Sequence, residues 1–190
     1  MNPVIRFLIV SDTVIMGAAG LLGPIFALFI EDYIVGGNEA VAGIAAGIYL
    51  LTKSIMQIPI AYVIDKIKGK RDDFWLMFAF SLLIALIPLA YLFISTPLEL
   101  FIVQFFLGLF TAFTFPTYMA IFTRHIDKKK EGTEWGVYFT LVDLTSAAMA
   151  ALGGYIAASF GFHSLIVLVV IFSVLGSLLL LPIKNYLQKK

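Results

Sequence analysis

Long apolar runs separated by short polar breaks organise this chain. Mostly hydrophobic residues fill 4–30, 40–64, 74–94, 98–123, 134–159 and 162–183, and each interruption is brief. The hydrocarbon of a bilayer is about 30 Å thick and a helix rises about 1.5 Å per residue, so a run of ~20 apolar residues can cross it. Six such runs predict six transmembrane helices in an all-α integral membrane fold. The breaks carry turn residues: Gly-Gly-Asn at 36–38, Lys-Gly-Lys at 68–70, Ser-Thr-Pro at 95–97, Lys-Glu-Gly at 130–132 and Phe-Gly-Phe at 160–162. No linker divides the chain, so residues 1–190 read as a single six-helix domain. The run after Arg6 is too long for the apolar core of a cleaved signal and reads as the first span.

Composition agrees with the pattern. The chain is 61% hydrophobic and 13% charged, with a mean hydropathy of +1.01, whereas soluble domains are roughly a quarter charged. A net charge of +1 without a concentrated basic face excludes a nucleic-acid partner. There is no cysteine, hence no disulfide framework and no thiolate nucleophile or ligand. The histidines, His125 and His163, are far apart and fall near span ends, so neither a metal site nor a cofactor is predicted.

Charge in the loops predicts orientation, because Lys and Arg near span ends are retained on the cytoplasmic side. Arg6, Lys66, Lys68, Lys70, Arg71, Arg124, Lys128, Lys129, Lys130, Lys184, Lys189 and Lys190 all fall on one side of the predicted helices. The opposite loops carry Glu31, Asp32, Glu39 and Glu99. Both termini are therefore expected in the cytoplasm, and the chain is expected as a multi-pass protein of the plasma (inner) membrane in a single orientation.

Residues 65–73 hold seven charged residues in nine positions, and their order is informative. Asp65 and Lys66, then Gly69, Lys70 and Arg71, follow Gln-Ile-Pro at 57–59. This resembles the loop signature between helices two and three of the major facilitator superfamily: Gly, three residues, Asp, Arg, any residue, Gly and two basic residues. Ala61 stands at the first Gly position, and Lys68 reads as one inserted residue. Gln104 lies four residues before Gly108 in helix four, where the family often shows an Arg. Gly136 and the pair Gly153–Gly154 in helix five have the spacing of the family's antiporter signature, with Met149 and Ala150 at its central Gly-Pro.

The resemblance covers nearly the whole chain and is to one six-helix half of a twelve-helix transporter. It implies a 3+3 inverted repeat and a substrate site between two such halves related by an axis along the membrane normal. Two parallel copies of this chain, related by a C2 axis, would rebuild that arrangement. The implied function is transport of a small solute by alternating access in a homodimer, with protons as a candidate coupling ion. The resemblance also makes Asp65, Lys66, Gly69, Lys70 and Arg71 a cytoplasmic gating loop.

Ionisable groups inside the apolar runs are few: Asp12, Lys53 and Asp143. Charge at this depth is costly, so such residues face protein or water. Lys53 shares a helix face with Ala46, Tyr49 and Gln57; Asp143 shares one with Gly136, Thr140, Ala147, Ala150 and Gly154, a stripe small enough for close helix contact. Asp12, Lys53, Gln104 and Asp143 are the substrate and coupling candidates, and Gly136, Gly153 and Gly154 the helix-packing candidates. Enzymatic readings fit poorly: there is no Gly-x-Ser-Gly for an intramembrane serine protease, and no aspartate cluster for a metal-dependent head-group transferase. Two alternatives remain open, a six-helix substrate-capture subunit of a larger complex and an isolated N-terminal half of a longer transporter.

Overall fold

The computed structural model describes residues 1–66 and 70–187, the side chains of Lys70 and Arg71 excepted. Among the described residues all regular structure is helical: α1 (Pro3–Leu22), α2 (Phe26–Tyr33), α3 (Glu39–Lys66), α4 (Lys70–Leu86), α5 (Pro97–His125), α6 (Glu131–Leu178) and α7 (Ile183–Leu187). Five stretches among them are long and apolar enough to cross a membrane: Pro3–Tyr33, Glu39–Lys66, Asp72–Leu92, Pro97–His125 and Glu131–Leu187.

Proline marks two changes of helical winding. Pro24 lies in a 3-10 turn (Gly23–Ile25) between α1 and α2, and Pro88 in a second (Ile87–Leu92) that extends α4. A proline ring removes one helical hydrogen bond and crowds the preceding turn, which explains the tighter winding. Pro59 and Pro116 are instead carried inside α3 and α5. The start of α5 is fixed chemically. The Glu99 amide donates to Thr96 Oγ1 at 3.4 Å, the Glu99 carboxylate accepts from the Thr96 amide at 3.0 Å, and Pro97 occupies the first turn. This capping box satisfies amides that a helix end would otherwise leave bare.

α6 runs 48 residues, about 72 Å at ~1.5 Å per residue and more than twice the hydrocarbon thickness. It is broken at Gly161, where φ 77° and ψ 164° are values that a side chain disfavours. The chain reverses direction there. Tyr138 of the first arm and Leu180 and Ile183 beyond the second pack in one cluster with Val4, Ile5, Phe74 and Phe122. Phe162, Leu165 and Ile166, next to the break, pack at the other end of the bundle with Leu21, Phe29, Ala45, Tyr91 and Leu100. The helices therefore alternate up and down, and α6 supplies both an ascending and a descending arm.

Close crossings use small residues, as in other apolar helix bundles. A Cβ at Gly153 would overlap the Leu21 carbonyl of α1, and one at Gly176 would come within 2.7 Å of Ile15 Cγ1. The Ser11 hydroxyl donates to the Gly176 carbonyl at 2.7 Å, so this crossing is pinned by a buried hydrogen bond. Gly108 of α5 approaches α3 beside Lys53, where an added Cβ would lie 2.6 Å from the Tyr49 carbonyl oxygen. α1 packs mainly on α6 and α3 mainly on α5, which leaves a space between the two pairs.

Candidate functional site

That space is a cavity of about 530 Å³. Three of the four polar residues singled out from the sequence line it: Asp12 from α1, Lys53 from α3 and Gln104 from α5. Asp143 does not; it is exposed on the first arm of α6. The volume falls in the range of small-molecule sites, ~300–1,000 Å³.

The polar groups sit at different levels. Nearest the end that carries the N-terminus of α1, Asp12 Oδ2 accepts a hydrogen bond from the Tyr138 hydroxyl at 2.6 Å. The Tyr118 ring centroid lies 5.9 Å from that of Tyr138, and the buried Tyr118 hydroxyl has no partner among the described residues. A donor buried without a partner is unusual, and here it adjoins the cavity. Toward the other end, Gln104 is buried and its Nε2 donates to the Tyr91 hydroxyl at 3.2 Å. Between these levels, near the middle of α3, Lys53 places Nζ 5.1 Å from the centroid of the Phe115 ring. The rest of the lining is largely aliphatic and aromatic, including Met16, Phe26, Tyr49 and Met77.

The sequence did not point to Tyr138, Tyr118, Tyr91 or Phe115. Tyr138 is 126 positions from Asp12, and tyrosine or phenylalanine in an apolar helix carries no local sign of facing a cavity. The departure from the antiporter signature has a packing counterpart: Met149 lies against Gly17 of α1, with its Cγ 3.5 Å from an ideal Cβ there.

The charged loop is partly described. Asp65 is exposed in the last turn of α3, and the Lys66 ammonium lies 4.1 Å from the centroid of the Tyr62 ring. Gly69 lies outside the described residues, and Lys70 and Arg71 open α4. Asp73, one charge among seven in the sequence, is buried in the first turn of α4 and paired with Arg124 at the end of α5. A carboxylate at a helix N-terminus is also favoured by the helix dipole.

Of the three glycines read as packing positions, Gly153 is in the α1 contact just described. Gly136 and Gly154 have open space where a side chain would be, as do Gly43 and Gly47 of α3. Gly136 also lines a shallow groove with Thr133, Val137, Thr140 and Leu141.

The chain is 26% identical over 153 residues to an uncharacterised MFS-type transporter of Methanocaldococcus jannaschii, covering 80% of this chain and 38% of the relative. It is 28% identical over 182 residues to the multidrug resistance protein MdtG of Yersinia enterocolitica, covering 93% of this chain and 43% of the relative. The chain thus spans less than half the length of these curated relatives. No solved structure matches it. Residues 8–189, nearly the whole chain, match the sequence profile of the Major Facilitator Superfamily, and the chain belongs to that superfamily of multi-pass membrane transporters.

Proposed function

We propose that this chain is a half-size transporter that moves a small solute by alternating access, working as a parallel C2 homodimer. The observation that carries the reading is the cavity: Asp12, Lys53 and Gln104 converge on a space walled by α1, α3, α4, α5 and α6 of one copy. We read the five long stretches as six crossings, the arms of α6 counting as two, which supplies one 3+3 half of the superfamily's architecture. A second copy completes the walls of the cavity. Its seam runs along α3 and the first arm of α6, where Gly43, Gly47, Gly136 and Gly154 present bare backbone, with Asp143 on the same α6 stripe.

The basic loops and both termini face the cytoplasm of a cell bounded by the plasma membrane, following the charge asymmetry. There Asp65, Lys66, Gly69, Lys70 and Arg71 latch the two copies. The exposed Glu131, in the first turn of α6, offers the partner's Lys70 and Arg71 an opposite charge. Spin labels across the cytoplasmic face should then show longer distances in Asp65→Asn than in the parent. Asp12 and its tyrosines are the candidate site for a coupled proton. The relative named for multidrug resistance and the largely apolar lining both favour an amphipathic solute over a sugar or inorganic ion.

The chain's coverage of under half of each relative favours a second arrangement as well, in which a different polypeptide stretch provides the other six helices. Native mass spectrometry of the purified chain released from lipid nanodiscs decides between them. Two copies per particle is the expected result. A single copy that binds solute alone would indicate a capture subunit, and a single copy that binds nothing would indicate a unit needing a different partner.

A further inference from the structure

We infer that the solute is an organic anion, a carboxylate or sulfonate on an aromatic or aliphatic body, and that Lys53 is the residue that selects its charge. The inference rests on the transport reading above and deepens it.

The charges in the cavity carry the argument. Among the described residues its lining holds one cationic side chain, Lys53, and one carboxylate, Asp12. The carboxylate has one hydrogen bond, from the Tyr138 hydroxyl to Oδ2 at 2.6 Å, and no cationic partner among the described residues. Within one copy the ammonium has no ionic partner either. The ion pairs among the described residues are those of the N-terminus with Asp127 and Glu134, and of Arg124 with Asp73, so Lys53 has no carboxylate partner there. The contact that stabilises its charge among the described residues is the face of Phe115, 5.1 Å from Nζ to ring centroid. A ring face offsets only a small part of the cost of an ammonium held away from water.

Position adds to this. Lys53 stands about 20 Å along the helix from either end of α3 (Glu39–Lys66), too far for its head to reach water at the membrane surface. The ammonium is half-buried and faces the cavity, so an anion inside the cavity can complete it. Around it, Tyr49 on the preceding turn and Phe115 offer flat apolar surface to the body of such a ligand, and Phe26 lines the cavity further on, beside Tyr91. The Gln104–Tyr91 pair fixes polar groups at the far end without adding charge. An organic cation would meet the like charge of Lys53, and Asp12, its Oδ2 held by Tyr138, could offer it Oδ1.

The test uses three ligands of matched shape on the full chain in zwitterionic-lipid nanodiscs at neutral pH: 2-naphthoate, 2-naphthalenemethanol and 2-naphthylmethylammonium. Binding is measured by equilibrium dialysis against empty nanodiscs. The expected order is anion, neutral, cation, with naphthoate at least about tenfold tighter than the ammonium ligand. Lys53→Met should abolish the preference for naphthoate over the alcohol while the alcohol still binds; Lys53→Arg should retain it. Palmitate run in parallel identifies the source: displacement of naphthoate by palmitate at lower concentration assigns a lipid-derived anion, and the reverse assigns a water-soluble one. Cation binding equal to or tighter than naphthoate, or a preference unchanged in Lys53→Met, overturns the inference while leaving the cavity a binding site. Failure of all three ligands to bind a particle that holds two copies overturns the inference alone, whereas failure in a particle that holds one copy overturns the homodimer reading with it. Should Lys53→Met not fold, Lys53→Gln takes its place as the test of the residue, and the parent's own anion-to-cation ratio decides the charge of the solute.

Discussion

A methyl group at Gly153 has nowhere to go, because backbone rather than a flexible side chain stands in its place. Gly153→Ala should force α1 and α6 apart and cost ~1–3 kcal/mol or more, read as a lowered melting temperature of the single chain. Gly154→Ala, one position on and facing open space, should leave that temperature nearly unchanged and weaken association of copies instead. Equal destabilisation by the two would contradict the assignment of inner and outer faces. Residue chemistry of this kind is only partly legible in a sequence. Asp12 and Lys53 announce themselves, since charge inside an apolar run demands a reason. Their partners do not: Tyr138 and Phe115 are ordinary residues of apolar helices until folding brings them to the cavity. Asp73 is the converse case, one acidic residue lost in a run of charges until Arg124 is seen against it.

At the scale of elements, the turn at Phe160, Gly161 and Phe162 does the most to shape the bundle. It is the one place where a continuous apolar helix must reverse direction without a polar loop. Gly161 holds a positive φ and extended ψ that cost a residue with a side chain on the order of 1–3 kcal/mol. Gly161→Ala should lower stability by that amount and loosen the contact of Phe162 with Phe29, whose ring centroids are 5.7 Å apart. Protease sensitivity near the turn and a melting curve check this; an unchanged curve would mean that the turn is set by packing alone. The sequence marks this break by its glycine. It also marks the Ser-Thr-Pro start of α5, because cap residues act locally. Proline by itself does not mark the 3-10 turns at Pro24 and Pro88, since it is also carried within α3 and α5. Which helix lies on which is not local, and the pairing of α1 with α6 and α3 with α5 emerges only in the fold.

For the whole molecule, the proposal is two copies in one orientation around a shared cavity. Orientation is checked by single cysteines in a chain that has none of its own. A membrane-impermeant thiol reagent outside intact cells should label Asn38→Cys and spare Lys129→Cys, and the opposite pattern would invert the topology. The seam is tested most directly by disulfide trapping with Gly47→Cys and Gly154→Cys together in one chain. Gly47 is eight residues from Glu39 and Gly154 seven from Gly161, so at ~1.5 Å per residue they lie about 12 and 10 Å below the same end of the bundle. Both face open space within one copy. Mild oxidation in native membranes should convert the double-cysteine chain to a covalent dimer, with either single variant giving far less. A double variant that stays monomeric, while a small thiol reagent shows both cysteines to be reactive, would contradict the homodimer.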